Sequence, residues 1–195
     1  AGALLGAGAG AAQASDHLDS PAVIADPRAD IGDLYAWMAP DRRRLNLVMT
    51  IVGHSFSDKL SYDFHIDSGG AFGKTTATTV VSCRFASMQA ADCRLGRADR
   101  AVGDAGDPQG LEGRKHRFRV FAGLRDDPFF NNVRGSRDAS SIAAAAVRAG
   151  APMDGAGCPG FDAATTAAIL SHWARTDGGP PKNFLAGWTP AVLVL

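Results

Sequence analysis

Residues 60–67, LSYDFHID, alternate apolar and polar side chains with a period of two. On an extended strand this puts Tyr62, Phe64 and Ile66 on one face and Asp63, His65 and Asp67 on the other. A Gly-rich run, SGGAFGK (68–74), follows, and then TTATTVVSCRF (75–85), which is dense in β-branched residues. Two strand-like runs around turn residues predict an antiparallel hairpin of 60–67 with 75–85.

The rest of the chain extends this pattern. Residues 33–38 (DLYAWM) read as a first strand, 45–52 (LNLVMTIV) as a strand covered on both faces, 116–122 (HRFRVFA) as another, and 189–195 as a buried final strand. Residues 15–32 read as extended, and 86–114, polar and Gly-rich, as a long loop. Two helices are expected near the C-terminal end, 139–149 capped by Asp138 and 163–175 capped by Asp162. The fold class is therefore mainly β, with antiparallel sheets in a sandwich-like or partial barrel or propeller-like arrangement and a two-helix insertion.

The ends bear on compartment. Residues 1–14, AGALLGAGAGAAQA, are small, apolar and uncharged, and Ala12-Gln13-Ala14 fits the small-x-small rule of a secretory cleavage site. The expectation is a signal-peptide remnant over 1–14, with the sequence starting inside the signal. One β-rich domain is expected over 15–195, cut at its apolar C-terminal strand. The apolar stretch is too short to span a bilayer. Twenty basic and twenty acidic residues cancel, so no global field draws in nucleic acid or anionic lipid. Export permits disulfides, and the close spacing of Cys83 and Cys93 predicts a bridge, leaving Cys158 without a partner in this sequence. The predicted location is extracytoplasmic, periplasmic or secreted.

Catalytic motifs approach completion without reaching it. SGGAFGKT (68–75) is one residue from a phosphate-binding P-loop, but a strand-forming run follows where a helix must open, so no nucleotide is expected. GHSFS (53–57) departs from a nucleophile elbow by Ser57 and by the strand that follows it. Three weaker constellations remain. Asp63, His65 and Asp67 share a strand face at a spacing that can contribute metal ligands, provided a neighbouring strand adds others. His17 lies between Asp16 and Asp19, close to the expected mature N-terminus. Arg125, Asp126 and Asp127 occupy a turn in FAGLRDDPFF (121–130). That turn is either a ligand site at a loop apex or a structural turn. In the structural version Phe129 or Phe130 is buried alongside Phe121, and Arg125 bonds an Asp side chain or a nearby carbonyl.

The runs SDHLDSP, DPRADIGDLYAW, YDFHIDSGG and FAGLRDDPFF together resemble a bacterial family known as domain of unknown function 4331, over most of residues 15–195. The resemblance implies export and a β fold whose final strand continues into further strands. Members often carry an Asp-rich, calcium-like turn after the hairpin's first strand. SGGAFGK lacks those carboxylates, so the resemblance brings no calcium site to this turn. It adds no chemistry. The reading favoured by the sequence is a non-catalytic binding or structural module. The alternative is a metal-dependent enzyme or metal-binding protein with His and Asp ligands, for which a divalent metal is the candidate cofactor. No ligand or protein partner is indicated.

Overall fold

A computed structural model describes residues 17–18, 20–71 and 73–195. The expected signal remnant over 1–14 lies outside the described residues. The chain divides into two compact units, one of residues up to Arg125 together with 189–195, the other of residues 126–188.

The first unit is built from β1 (Ile31–Met38), β2 (Leu45–Ile51), β3 (Tyr62–Ser68), β4 (Ala77–Phe85), β5 (Ala90–Leu95), β6 (Asp99–Asp104), β7 (Leu111–Glu112), β8 (Arg119–Leu124) and β9 (Ala191–Val194). They form two antiparallel sheets, ordered β1-β2-β9-β8-β7 and β3-β4-β5-β6. The predicted hairpin is present, with Tyr62 opposite Cys83 and Ser68 opposite Ala77. Inward residues of both sheets supply one core: Leu47, Met49 and Ile51 from β2, Leu193 from β9, and Phe64, Val81 and Phe85 from β3 and β4. The last strand is interior to its sheet, between β2 and β8, which explains why Ala191, Val192 and Leu193 are all buried. Its apolar run reflects cover on both faces.

Three local expectations are corrected. Residues 86–114 are not a long loop, because β5, β6 and β7 lie within them. These strands are short and rich in Ala, Asp and Arg, which have little strand propensity. Burial decides the matter: Ala91 and Cys93 point into the core while Arg94 is exposed. Residues 15–32 are not simply extended. A helical turn, α1 (Pro21–Ala25), and a 3-10 turn (Pro27–Ala29) each start on a Pro, whose fixed φ suits a first helical position. The Asp26 side chain accepts from the Arg28 amide at 3.1 Å to cap the second turn.

The second unit carries α2 (Val133–Arg148) and α3 (Ala163–Trp173), which lie between β8 and β9 in chain order. α3 starts at its predicted cap, Asp162, whose side chain accepts from the Thr165 amide at 2.7 Å. α2 starts six residues earlier than expected. Its cap is Asn132, not Asp138, and Asp138 instead pairs with Arg134 one turn before it, at 3.4 Å. Gly135 in the first turn disguises this start, since Gly is a poor helix former. Yet a Cβ at Gly135 would collide with Asn132 Nδ2 and the Arg175 carbonyl oxygen.

Candidate functional site

The residues singled out from sequence are mostly bonded to their own surroundings. Asp63, His65 and Asp67 do share the exposed face of β3. Asp63 accepts from the Ser61 hydroxyl and Asp67 from the Thr78 hydroxyl, each at 2.6 Å. β3 is an edge strand, so only β4 lies beside it, and the residues opposite these three are Ser82, Val80 and Thr78. None is a strong metal ligand. His17 Nδ1 lies 3.3 Å from Asp30 Oδ1, and Asp30 Oδ2 accepts from the Leu18 amide at 2.7 Å. Among the described residues no group of three or more His, Cys, Asp or Glu is placed to hold a metal ion.

The turn at Arg125 divides between structural and unexpected features. Arg125 stacks its guanidinium 4.2 Å above the Phe121 ring and donates to the Leu124 carbonyl at 2.8 Å. The bond to a nearby carbonyl was expected. Asp127 accepts from the Phe129 amide at 2.9 Å, a local turn that satisfies its carboxylate. The expectation that Phe129 or Phe130 is buried is wrong: they are 43% and 57% exposed. Pro128 and the Asp127 turn shape this segment locally, so it does not require an aromatic anchor in a core.

Among the rejected motifs, the Gly-rich run leads from Ser68, the end of β3, back to Ala77, the start of β4, and in GHSFS Phe56 and Ser57 are buried while His54 is exposed. Ser57 is fully buried and its amide donates to the Tyr62 hydroxyl at 2.8 Å. Phe56 stacks on Phe85 with centroids 4.1 Å apart. Cys83 and Cys93 are bridged, across adjacent strands and not across a loop. Cys158 is exposed and free.

Sequence reasoning missed a cluster on the outer face of the four-stranded sheet because it treated β5 and β6 as loop. Registers place Arg84 opposite Asp92 and Asp92 opposite Val102, while Ser82 faces Arg94 and Arg94 faces Arg100. Arg100 clamps Asp92 with two bonds of 2.7 and 2.6 Å. This clamp, aided by Arg94, holds the Asp92 carboxyl below its ordinary pKa against the opposing effect of burial. A shallow depression of about 460 Å³ is lined by Ser82, Arg84, Asp92 and Arg94. Beside it, a second of about 550 Å³ shares Arg84 and Asp92 and is walled by Ala90 and Val102. The available signal was alternation in AADCRL and DRAVGD, whose charged and small residues follow a period of two.

No helix among the described residues is long and apolar enough to cross a membrane. No family model, no curated protein and no solved structure matches the chain.

Proposed function

We propose that the chain is an exported member of the family it resembles, domain of unknown function 4331, and acts as a non-catalytic binding or structural module. The observation that carries the export part of this reading is the Cys83–Cys93 bridge, which is buried in the sheet core. Such structural disulfides form and persist in oxidising, extracytoplasmic compartments. The carboxylates that sequence marks as candidate ligands also favour the module reading. Asp63, Asp67 and Asp127 each accept a bond from a neighbouring hydroxyl or amide, as structural side chains do.

Fractionation of the producing cells, with N-terminal sequencing, thiol titration and elemental analysis of the recovered protein, tests this. The expected result is an extracytoplasmic protein starting at Ser15, with one titratable thiol, Cys158, and no stoichiometric metal. A cytoplasmic protein with all three cysteines reduced overturns the export reading. A stoichiometric divalent metal lost on His17→Ala or His65→Ala overturns the module reading in favour of the metal-dependent alternative.

A further inference from the structure

We infer that the outer face of the four-stranded sheet binds an organic monoanion, a carboxylate carrying an apolar body, through the guanidinium groups of Arg84 and Arg94. This deepens the binding reading above and rests on it.

The argument is one of unspent donors. Three arginines, Arg84, Arg94 and Arg100, stand on neighbouring positions of this face, on strands about 4.8 Å apart. Asp92 is the carboxylate among them, and both its oxygens are taken by Arg100. Arg94 reaches Asp92 only at 3.6 Å. The Arg84 guanidinium has no ion pair or hydrogen bond among the described residues. Two planar forks with free N–H groups therefore border the depression that Ser82 also lines. A guanidinium fork matches the two oxygens of a carboxylate.

The neighbouring depression supplies the rest of the ligand. It is contiguous at Arg84 and Asp92, and the outward side chains of Ala90 and Val102 give it an apolar wall. Val102 is 47% exposed there, apolar surface that a ligand would cover. Convergent polar groups beside an apolar surface are what a small-molecule site requires. Asp58 also lines this second depression. Arg84, Arg94 and Arg100 against Asp92 and Asp58 sum to a single positive charge, which suits a monoanion better than a phosphate dianion.

The test titrates the full chain, labelled with ¹⁵N, with phenylacetate, acetate and inorganic phosphate at low ionic strength. Phenylacetate is expected to give saturable amide shifts at 82–94 and 100–103, with a dissociation constant on the order of a millimolar. Acetate should bind at least about fivefold more weakly, having no apolar body. Arg84→Gln and Arg94→Gln should each weaken phenylacetate about tenfold, the loss of one charged hydrogen-bonding partner. Arg119→Gln, on β8, should leave it unchanged. Spectra elsewhere in each variant report that the fold is intact. Absence of saturable shifts on this face, shifts indifferent to both substitutions, or phosphate binding as tightly as phenylacetate each overturns the inference. Those failures in an exported, metal-free protein reject this site alone. A cytoplasmic, reduced protein rejects the broader reading whatever the titration shows.

Discussion

Cys83 and Cys93 face each other across β4 and β5 as a non-hydrogen-bonded register pair, with Cα atoms 4.1 Å apart. The bonds on either side, Gly96 amide to Val80 carbonyl and Ala86 amide to Ala90 carbonyl, each 2.9 Å, set that alternation. In such pairs the side chains approach most closely, so a bridge fits without displacing the ladder. Replacing both by Ala should cost about 3 kcal/mol, from the entropy returned to the unfolded chain. The melting temperature should fall by about 6–12 °C. Thermal melts of the double variant beside the wild type check this, and an unchanged midpoint would refute a stabilising bridge.

Tyr62 ties the 3-10 turn at Pro27–Ala29 to the loop after β2. Its hydroxyl donates to the Arg28 carbonyl at 2.9 Å and accepts from the buried Ser57 amide at 2.8 Å. Tyr62→Phe keeps the ring packing with Phe56 and Phe85 but strands that amide, at an expected cost of about 1–3 kcal/mol. Burial raises the Tyr62 phenol above its ordinary pKa. A raised folded value means stability is fully present below about pH 10 and is lost as pH climbs through it. Chemical denaturation across pH 8–12 should show a steeper alkaline decline in the wild type than in Tyr62→Phe.

Asp99 organises the segment after β6. Its carboxylate, 6% exposed, accepts from the amides of Arg100 at 2.7 Å, Lys115 at 2.9 Å and Arg117 at 3.0 Å. Burial opposes ionisation, but the amide bonds together outweigh it and hold the carboxyl below its ordinary pKa. A depressed folded value gives stability that is present above about pH 4 and lost as pH falls through it. Asp99→Asn should lower the melting temperature by several degrees at pH 7 and flatten its decline below pH 4. Parallel slopes for the two proteins in acid would show that Asp99 contributes nothing to that decline.

Asn132 joins the two helices of the second unit. Its Oδ1 accepts from the Gly135 amide at 3.1 Å and the Thr176 hydroxyl at 2.8 Å, and its Nδ2 donates to the Trp173 and Arg175 carbonyls at 3.0 and 2.9 Å. One side chain thus caps the start of α2 and the end of α3. Asn132→Ala removes a helix cap and orphans two carbonyls, so about 2–4 kcal/mol should be lost. Hydrogen exchange should speed up across α2 and α3 while β2 to β4 keep their protection. Uniform protection in the variant would argue against this role.

The strands with strong local patterns are legible in the sequence alone. Tyr62, Phe64 and Ile66 alternate with charged neighbours, and the β-branched run before Cys83 returns beside them around a Gly-rich turn. α3 was legible for a similar reason, since Asp162 stands directly before its first turn. β5 and β6 were not, because Ala91, Cys93 and Ala101 are small and their neighbours are charged. Small residues give a weak hydrophobic signal, and only the opposing core surface shows that they face inward.

The same division holds for the candidate site. Sequence placed Asp63, His65 and Asp67 on one strand face, which follows from the two-residue repeat alone. It could not place Arg84, Asp92, Arg94 and Arg100 together, because cross-strand proximity depends on register. Nor could it show that Arg100 satisfies Asp92 while Arg84 is left with free donors. Periodicity is a local property of the chain, so the sequence by itself determined the β class and the hairpin, and the close spacing of Cys83 and Cys93 pointed to their bridge. Which charges meet, and which are left over, is set by contacts between distant segments, and that only the tertiary structure decided.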